Sequence, residues 1–209
     1  MLFSPGGRDA RLRCWRQSRL SGPKALGSLN SNLRTSAKLH PFFIALPDMP
    51  CQSCRPAVGE RSGTATLFSP GDKNSLASLH QRHDSLARGQ NFSGREVRMT
   101  TIDEILMERG IELVDFAKMD LEGHELFALR GAAESLKHHR LRVLTFEFGT
   151  GNVNSRTFFR DFWGLLNGYG YRIERIYPGG KTAPVVEYYE DLEFFRGVTN
   201  YVALAPQKS

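Results

Sequence analysis

The amino-acid sequence predicts an α/β fold, in which helices pack on a layered sheet, for residues 56–209. The first reason is that helix-like and strand-like patterns alternate along this part of the chain. The second is a helix with a wide apolar face, which is typical of packing against a core. The third is a closing pair of β-rich runs, Tyr171–Tyr177 and Val198–Ala203. Together these patterns argue against a helical bundle and a β-sandwich.

The first predicted elements are short strands followed by one capped helix. Ala57-Val58 and Thr64–Phe68 are β-rich and are separated by a glycine-containing turn. The polar stretch that follows is predicted to be a loop, and Glu96–Met99 to be a third short strand. Thr101 then has the position of a helix N-cap, and Glu104 completes a capping box three residues later.

Two buried strands and two helices are predicted next. Leu113–Met119 is largely apolar on both faces, as a buried parallel strand is, and Val143–Phe148 is a second β-rich run. Helical spacing of apolar residues predicts one helix over Gly123–His138. Ser155 is the predicted N-cap of a further helix that ends at Gly168 and carries a stripe of aromatic and leucine side chains. We interpret this stripe as core and not as a cofactor site.

The net charge of +6 comes from one end of the chain. Residues 1–55 contain nine Lys or Arg and two acidic residues, whereas residues 56–209 have a net charge of −1. The N-terminal segment shows no helical or strand period, so we predict a disordered tail over residues 1–55 and a folded domain over residues 56–209. A nucleic-acid-binding arm is an alternative, although no base-reading module is recognisable and Trp15 is the only aromatic residue among its clustered arginines.

Neither a membrane span nor a metal site is predicted. The longest apolar runs are five residues, far below the ~20 that cross a bilayer. Cys51 and Cys54 form a CxxC pair, but a zinc site needs a second pair of ligands at compatible spacing, and Cys14 is the only other thiol. We therefore expect reduced thiols and a cytoplasmic location.

Charged side chains cluster at the ends of the two predicted parallel strands. Asp120 and Glu122 follow the first strand, and Glu147 lies near the end of the second. Ligands of open α/β sheets bind outside the carboxyl ends of strands. An extended chain would project Lys118, Asp120 and Glu122 to one side, with the ammonium between two carboxylates, although an ion pair that only satisfies the strand end fits equally well. His124 is expected to be exposed.

The sequence around these residues resembles a known family. The run Lys118-Met119-Asp120-Leu121-Glu122-Gly123-His124-Glu125, followed by Leu129-Arg130-Gly131-Ala132, is similar to a motif of the FkbM-type S-adenosylmethionine-dependent methyltransferases. Three other stretches resemble the same family: Val97–Asp103, Ala57–Glu60 and Asn200–Ala203. The similarity extends from about Ala57 to Ala205.

This resemblance implies a fold, a reaction and a set of site residues. The fold would be a class I methyltransferase-like, Rossmann-like layered sheet. The reaction would transfer the methyl group of S-adenosylmethionine to a hydroxyl of a sugar, lipid or secondary-metabolite-like small molecule. Asp120 would lie nearest the reacting centre, as base or as orienter of the acceptor. Glu122 and Glu147 would shape that pocket, Lys118 would hold the carboxylates, and Ala57 and Val58 would contact the cofactor.

One part of the family pattern has no counterpart in the sequence. Family members open with a strand, a glycine-rich loop and a second strand with an acid for the ribose. We therefore expect a sheet that lacks its first two strands, which leaves the Leu113–Met119 strand unpaired on one side, and we expect a truncated or misread start. A truncated non-catalytic remnant of a methyltransferase is accordingly an alternative to an active enzyme.

Overall fold

The computed structural model describes residues 56–71, 76–195 and 197–207, and its secondary structure is mixed α/β. This confirms the predicted class. The tail predicted for residues 1–55, with its arginines and cysteines, lies outside the described residues. The strands are β1 (Ala57–Val58), β2 (Gly63–Ser69), β3 (Ser93–Thr100), β4 (Ala117–Lys118), β5 (Val143–Gly149), β6 (Arg172–Ile176), β7 (Thr182–Pro184) and β8 (Val198–Leu204). The helices are α1 (Ile102–Glu108), α2 (Glu125–Arg130), α3 (Ala133–Lys137), α4 (Thr150–Ser155) and α5 (Phe159–Gly168).

The first three strands form a small sheet of their own, in the order β1-β3-β2. β2 and β3 are antiparallel, with a register that runs from Gly63 opposite Met99 to Ser69 opposite Ser93. β1 is parallel to β3 on the other side. The predicted strands are therefore confirmed, and the third is longer than expected. The capping box at Thr101 is also confirmed, because its side chain accepts a hydrogen bond from the Glu104 N–H.

The other five strands form a second sheet, in the order β4-β5-β8-β6-β7. β4 is parallel to β5, whereas β8 runs antiparallel to both β5 and β6. β4 is shorter than the predicted Leu113–Met119 strand, because Val114 makes only an isolated bridge to Leu141 and regular pairing resumes at Ala117. Within the described residues β4 is an edge strand, so its polar end is not covered by a neighbouring strand on one side.

The core lies between the five-stranded sheet and α5. The rings of Phe146 and Phe162 stack at 4.9 Å between centroids, and Phe159 lies 4.3 Å from the Tyr201 ring. All four residues are at most 1% exposed. Burial of each such side chain contributes about 2 kcal/mol, so the aromatic stripe is core, as its spacing predicts.

The predicted helix over Gly123–His138 is wrong in one respect, because it is two short helices. α2 ends at Gly131, where an added Cβ would lie 2.0 Å from the Gly59 carbonyl oxygen. α3 then starts as a separate helix, with the Asp103 carboxylate accepting hydrogen bonds from the N–H groups of Glu134 and Ser135 at 2.9 Å each. The two helices are therefore separated where Gly131 packs against Gly59, the residue after β1.

Ser155 is not the N-cap of the aromatic helix. It ends the separate helix α4, and Arg156 follows in a left-handed conformation with φ of 56°. The carboxylate of Glu193 accepts hydrogen bonds from the first N–H groups of α5, those of Phe159 at 2.7 Å and Arg160 at 2.9 Å. A distant residue thus supplies a cap that the local sequence does not show.

In the described parts of the chain, no helix is both long enough and apolar enough to cross a membrane.

Replacement of Gly131 tests the junction between the two sheets. Gly131→Ala places a methyl group against the Gly59 carbonyl, and backbone lies on both sides of the contact, so we expect a loss of about 2–4 kcal/mol in the free energy of unfolding. Urea denaturation measures it. Gly164→Ala is the matched control, because its new Cβ has no neighbour within 4 Å in the interior of α5. Gly164→Ala is expected to raise the free energy of unfolding by about 0.5–1 kcal/mol. Equal effects of the two substitutions would contradict the packing of Gly131 against Gly59.

Candidate functional site

The carboxylates predicted at the strand ends lie at the same edge of the five-stranded sheet. Lys118 is in register with Thr145 in the parallel pair β4–β5, so Asp120 and Glu147, each two residues further along, are at the same level. The charge on Asp120 raises the pKa of Glu147, and that on Lys118 lowers it. The structure therefore brings Lys118, Asp120 and Glu147 together.

Lys118 does not lie between Asp120 and Glu122 as expected. Its Nζ atom is 3.2 Å from Asp120 Oδ2, and both side chains are more than 40% exposed. Such an exposed pair contributes less than about 1 kcal/mol. Glu122 departs from this side because its backbone adopts a left-handed conformation, with φ of 53°, which ends the extended chain. Lys118 therefore acts on Asp120 and Glu147 instead.

The partner of Glu122 is a residue that the sequence interpretation missed. Arg82 Nη1 donates to Glu122 Oε2 at 2.7 Å, and Arg82 Nε donates to Asp84 Oδ2 at 2.9 Å. The Arg82 side chain is 1% exposed and that of Glu122 is 24% exposed. A buried guanidinium needs such carboxylates, because an unpaired buried charge is strongly unfavourable.

Arg82 belongs to the 76–84 segment, which runs alongside the loop after β4. A backbone bridge between Phe68 and Ser78 attaches the segment to the end of β2. From Ser78 to Asp84, every second side chain contacts the loop after β4, the start of α2 or α4. Ser78 Oγ donates to the Glu122 carbonyl at 2.9 Å, and Asn154 Nδ2 of α4 donates to Asp84 Oδ2 at 2.6 Å.

A pair of histidines forms the second contact of the 76–84 segment. His80 Nε2 and His124 Nδ1 are 2.9 Å apart, and the His124 ring stacks on Phe127 at 4.7 Å between centroids. The prediction that His124 is exposed is wrong, since it is 9% exposed at the start of α2. Burial, with a smaller contribution from His80, lowers the pKa of His124 to about 4. Burial also lowers the pKa of His80.

Glu125 is the most deeply buried acid near the loop. It is 1% exposed, and its Oε1 atom accepts a hydrogen bond from the Leu121 N–H at 2.6 Å. Its Oε2 atom has no hydrogen-bond partner among the residues that the structure describes. Burial is the main reason why the pKa of Glu125 is raised to about 7. Glu125 therefore holds the loop after β4 through a hydrogen bond to its backbone and does not face solvent.

Glu147 combines a raised pKa with partial access to solvent. Burial, followed by the charge on Asp120, raises its pKa to about 7. The residue is half-buried on β5. A carboxyl group that titrates near neutral pH and is accessible can accept a proton from a ligand at physiological pH.

Close backbone packing sets the position of the loop after β4. Gly123 has φ of 95°, and a Cβ added to it would lie 2.3 Å from the Gly151 carbonyl oxygen. The loop after β4 is thus in direct contact with α4, which follows β5. Glycine at both positions permits this close approach of the two backbones.

Ala57 and Val58, the predicted cofactor contacts, lie on β1 in the smaller sheet and are half-buried. The residue after them approaches the loop, because a Cβ added to Gly59 would lie 3.1 Å from His124 Nε2. The end of β1 therefore reaches the neighbourhood of the site.

Other features of the surface do not add to this cluster. A groove of about 240 Å³ lies where the β6–β7 pair meets residues 185–192, with Arg175, Tyr177 and Tyr189 in its lining, and none of the predicted site residues lines it. In the described ranges no group of three or more His, Cys, Asp or Glu side chains has the arrangement of a metal site. The carboxylates at the ends of β4 and β5 are thus the chemically distinctive feature.

Comparison with known proteins gives one match. The family model described as the methyltransferase FkbM domain matches residues 31–173, which is more than half of the chain. The match begins inside the segment that we predict to be a tail. No curated protein and no solved structure matches the chain.

Replacement of Glu125 tests its burial as a proton-binding group. An unfolded glutamate ionises near pH 4.5 and folded Glu125 near pH 7, so the folded chain binds more protons between these values and loses stability as the pH rises. Glu125→Gln removes this loss. Its free energy of unfolding relative to the unmodified chain should increase by about 2 kcal/mol from about pH 5 to about pH 8, measured by urea denaturation. Glu96→Gln, on an exposed side chain of β3, should show no such trend, and the same trend in both variants would contradict the assignment.

Proposed function

The chain belongs to the FkbM methyltransferase family, and from this we propose that it transfers the methyl group of S-adenosylmethionine to a hydroxyl oxygen of a small molecule. The observation that carries the proposal is the pair Asp120 and Glu147 at the carboxyl edge of β4 and β5. A methyl transfer to oxygen needs an aligned acceptor and a group that removes the hydroxyl proton. The proposal assigns these two tasks to the two carboxylates.

We further propose that the fold is a class I methyltransferase-like, Rossmann-like sheet without its first two strands. The strand order β4-β5-β8-β6, with β8 reversed between parallel neighbours, supports a doubly wound arrangement. The edge position of β4 in the described residues is where the missing first strand would pair. The glycine-rich loop expected from the family would precede Ala57, where no counterpart is recognised in the sequence.

The charges around the strand ends fit the cofactor. S-adenosylmethionine carries a sulfonium cation, which is the source of the methyl group that it supplies when bound. Asp120 and Glu147 place negative charge at the sheet edge, with Glu122 nearby, and Lys118 offsets part of it. Ala57 and Val58 would contact the cofactor from β1, since the following Gly59 already approaches His124.

Glu147 is assigned the role of proton acceptor and Asp120 that of orienting the acceptor hydroxyl. Both Glu125 and Glu147 have a pKa raised to about 7, but Glu125 is 1% exposed and cannot meet a ligand. As its oxygen takes the methyl group that the bound cofactor would supply, the acceptor hydroxyl would pass its proton to Glu147. Lys118 holds Asp120 in place and lowers the pKa of Glu147.

The acceptor class is proposed from the family resemblance, and the location from the expectation of reduced thiols. A sugar, lipid or secondary-metabolite-like alcohol is the proposed acceptor, and the proposed location is the cytoplasm. No nucleic-acid partner is proposed, because the charge that would attract one belongs to residues 1–55 and the domain itself is nearly neutral.

Calorimetry and a transfer assay together test the proposal. S-adenosylmethionine and its demethylated product should bind the full chain, and methyl label should appear in an alcohol from a panel of monosaccharides, glycolipids and polyketide alcohols. The rate should rise with pH through about 7, because Glu147 must be ionised to take the proton. Glu147→Gln should lower kcat by about 10²- to 10⁴-fold and remove that rise.

Glu96→Gln is the control, since Glu96 is an exposed glutamate on β3 in the smaller sheet. It should leave cofactor binding and the pH profile unchanged. Absence of binding at millimolar cofactor would contradict the proposal and favour the non-catalytic remnant. Binding without any effect of Glu147→Gln on the transfer rate would overturn the role of Glu147 alone.

A further inference from the structure

Arg82 is a buried cation next to the site, and the mechanism above does not use it. Its two hydrogen-bonded carboxylates lie in different elements, since Asp84 is in the 76–84 segment and Glu122 is in the loop after β4. Arg82 therefore links the segment attached to the smaller sheet with the loop that follows β4 of the larger sheet. Its Nη2 atom is buried and has no hydrogen-bond partner within the described ranges.

Glu122 is fixed by this segment at two points. Its carboxylate Oε2 accepts from Arg82 Nη1 at 2.7 Å, and its carbonyl accepts from Ser78 Oγ at 2.9 Å. Its backbone is left-handed, and the adjoining Gly123 packs against Gly151. A residue in such a conformation persists where its surroundings over-determine it, and this is common at functional sites.

The charge state of Glu122 depends on the same contact. Burial raises the pKa of Glu122, and Arg82 opposes this through its hydrogen bond and its charge. Asp120 in the same loop and Asp84 in the 76–84 segment raise the pKa further. The charge on Glu122 in turn contributes to raising the pKa of Glu147 on β5. Arg82 is thus the one described cation whose charge offsets these effects on Glu122.

We propose that Arg82 is a positioning residue, which holds Glu122 as an oriented anion that accepts a hydrogen bond from the acceptor while Glu147 takes the proton. The proposal rests on the proposed methyl transfer. The hydrogen bond from Arg82 is to Glu122 Oε2, and the side chain is 24% exposed, which leaves Oε1 for a ligand hydroxyl. The two glutamates then have different environments and different tasks.

A purely structural salt bridge would have a different signature. When broken, it would make the chain less stable and would raise the pKa of Glu122, because any ion pair favours the charged carboxylate, but it would leave kcat and the pH dependence of transfer unchanged. The titration of the Glu122 side-chain carboxyl carbon, followed by NMR on the full chain, shows whether Arg82 sets the charge of Glu122 and needs no methyl-transfer activity. The transfer kinetics separate the positioning role from the structural one.

The experiment compares Arg82→Gln with Arg82→Lys. Arg82→Gln should raise the pKa of Glu122 by about one unit, which is a tenfold change in its protonation equilibrium, and Arg82→Lys should restore most of the original value. In the transfer assay Arg82→Gln should lower kcat about tenfold or more and move the acid limb of the profile to higher pH. Arg142→Gln is the control, because it breaks an exposed pair with Asp115 (3.3 Å) at the other end of β5.

Asp84→Asn gives the opposite sign and serves if Arg82→Gln does not fold. It removes one of the charges that raise the pKa of Glu122, so that pKa should fall. Unchanged Glu122 titration in a folded Arg82→Gln or Asp84→Asn variant would overturn the proposal. A raised Glu122 pKa with unchanged transfer kinetics would overturn the positioning role. If no methyl transfer is found for the unmodified chain, the titration still shows whether Arg82 sets the charge of Glu122.

Discussion

The contact between the 76–84 segment and the loop after β4 is the constraint on which the rest of the site depends. The buried Arg82 side chain pairs with two carboxylates. A charge left unpaired in this environment would be strongly unfavourable. Satisfying Arg82 therefore requires the end of β2, the loop at Glu122 and α4 to meet. The histidine pair and the glycine contacts at Gly59 and Gly131 lie around the same junction. Two small sheets are joined there.

The contacts at this junction give neighbouring acidic residues different environments and therefore different roles. Glu147 is half-buried without a cationic hydrogen-bond partner in the described chain, and its pKa is raised to about 7. Glu122 is held by Arg82. Glu125 is sealed beneath the loop, while Asp120 is paired with Lys118 at the surface. Similar side chains thus differ in protonation and access because of what each one packs against.

Local patterns in the sequence predicted local structure well and long-range contacts poorly. The capping box at Thr101 and the aromatic stripe of α5 are confirmed because both depend on residues within one or two turns. The cap of α5 was missed because Glu193 lies more than thirty residues beyond it. Lys118 and Asp120 were paired correctly, whereas Glu122 was not, because its partner Arg82 is 40 residues away. The alternation of Ser78, His80, Arg82 and Asp84 was the available signal for an ordered segment in what was predicted to be a loop.

The histidine pair offers the most direct test of this junction. Long-range ¹H–¹⁵N NMR spectra of the full chain report the protonation of each imidazole, and nuclear Overhauser effects report which rings touch. We expect contacts among His80, His124 and Phe127, and a His124 ring that stays neutral until the pH falls to about 4. Titration of His124 near its ordinary pKa of about 6.5, without contacts to His80, would contradict the account.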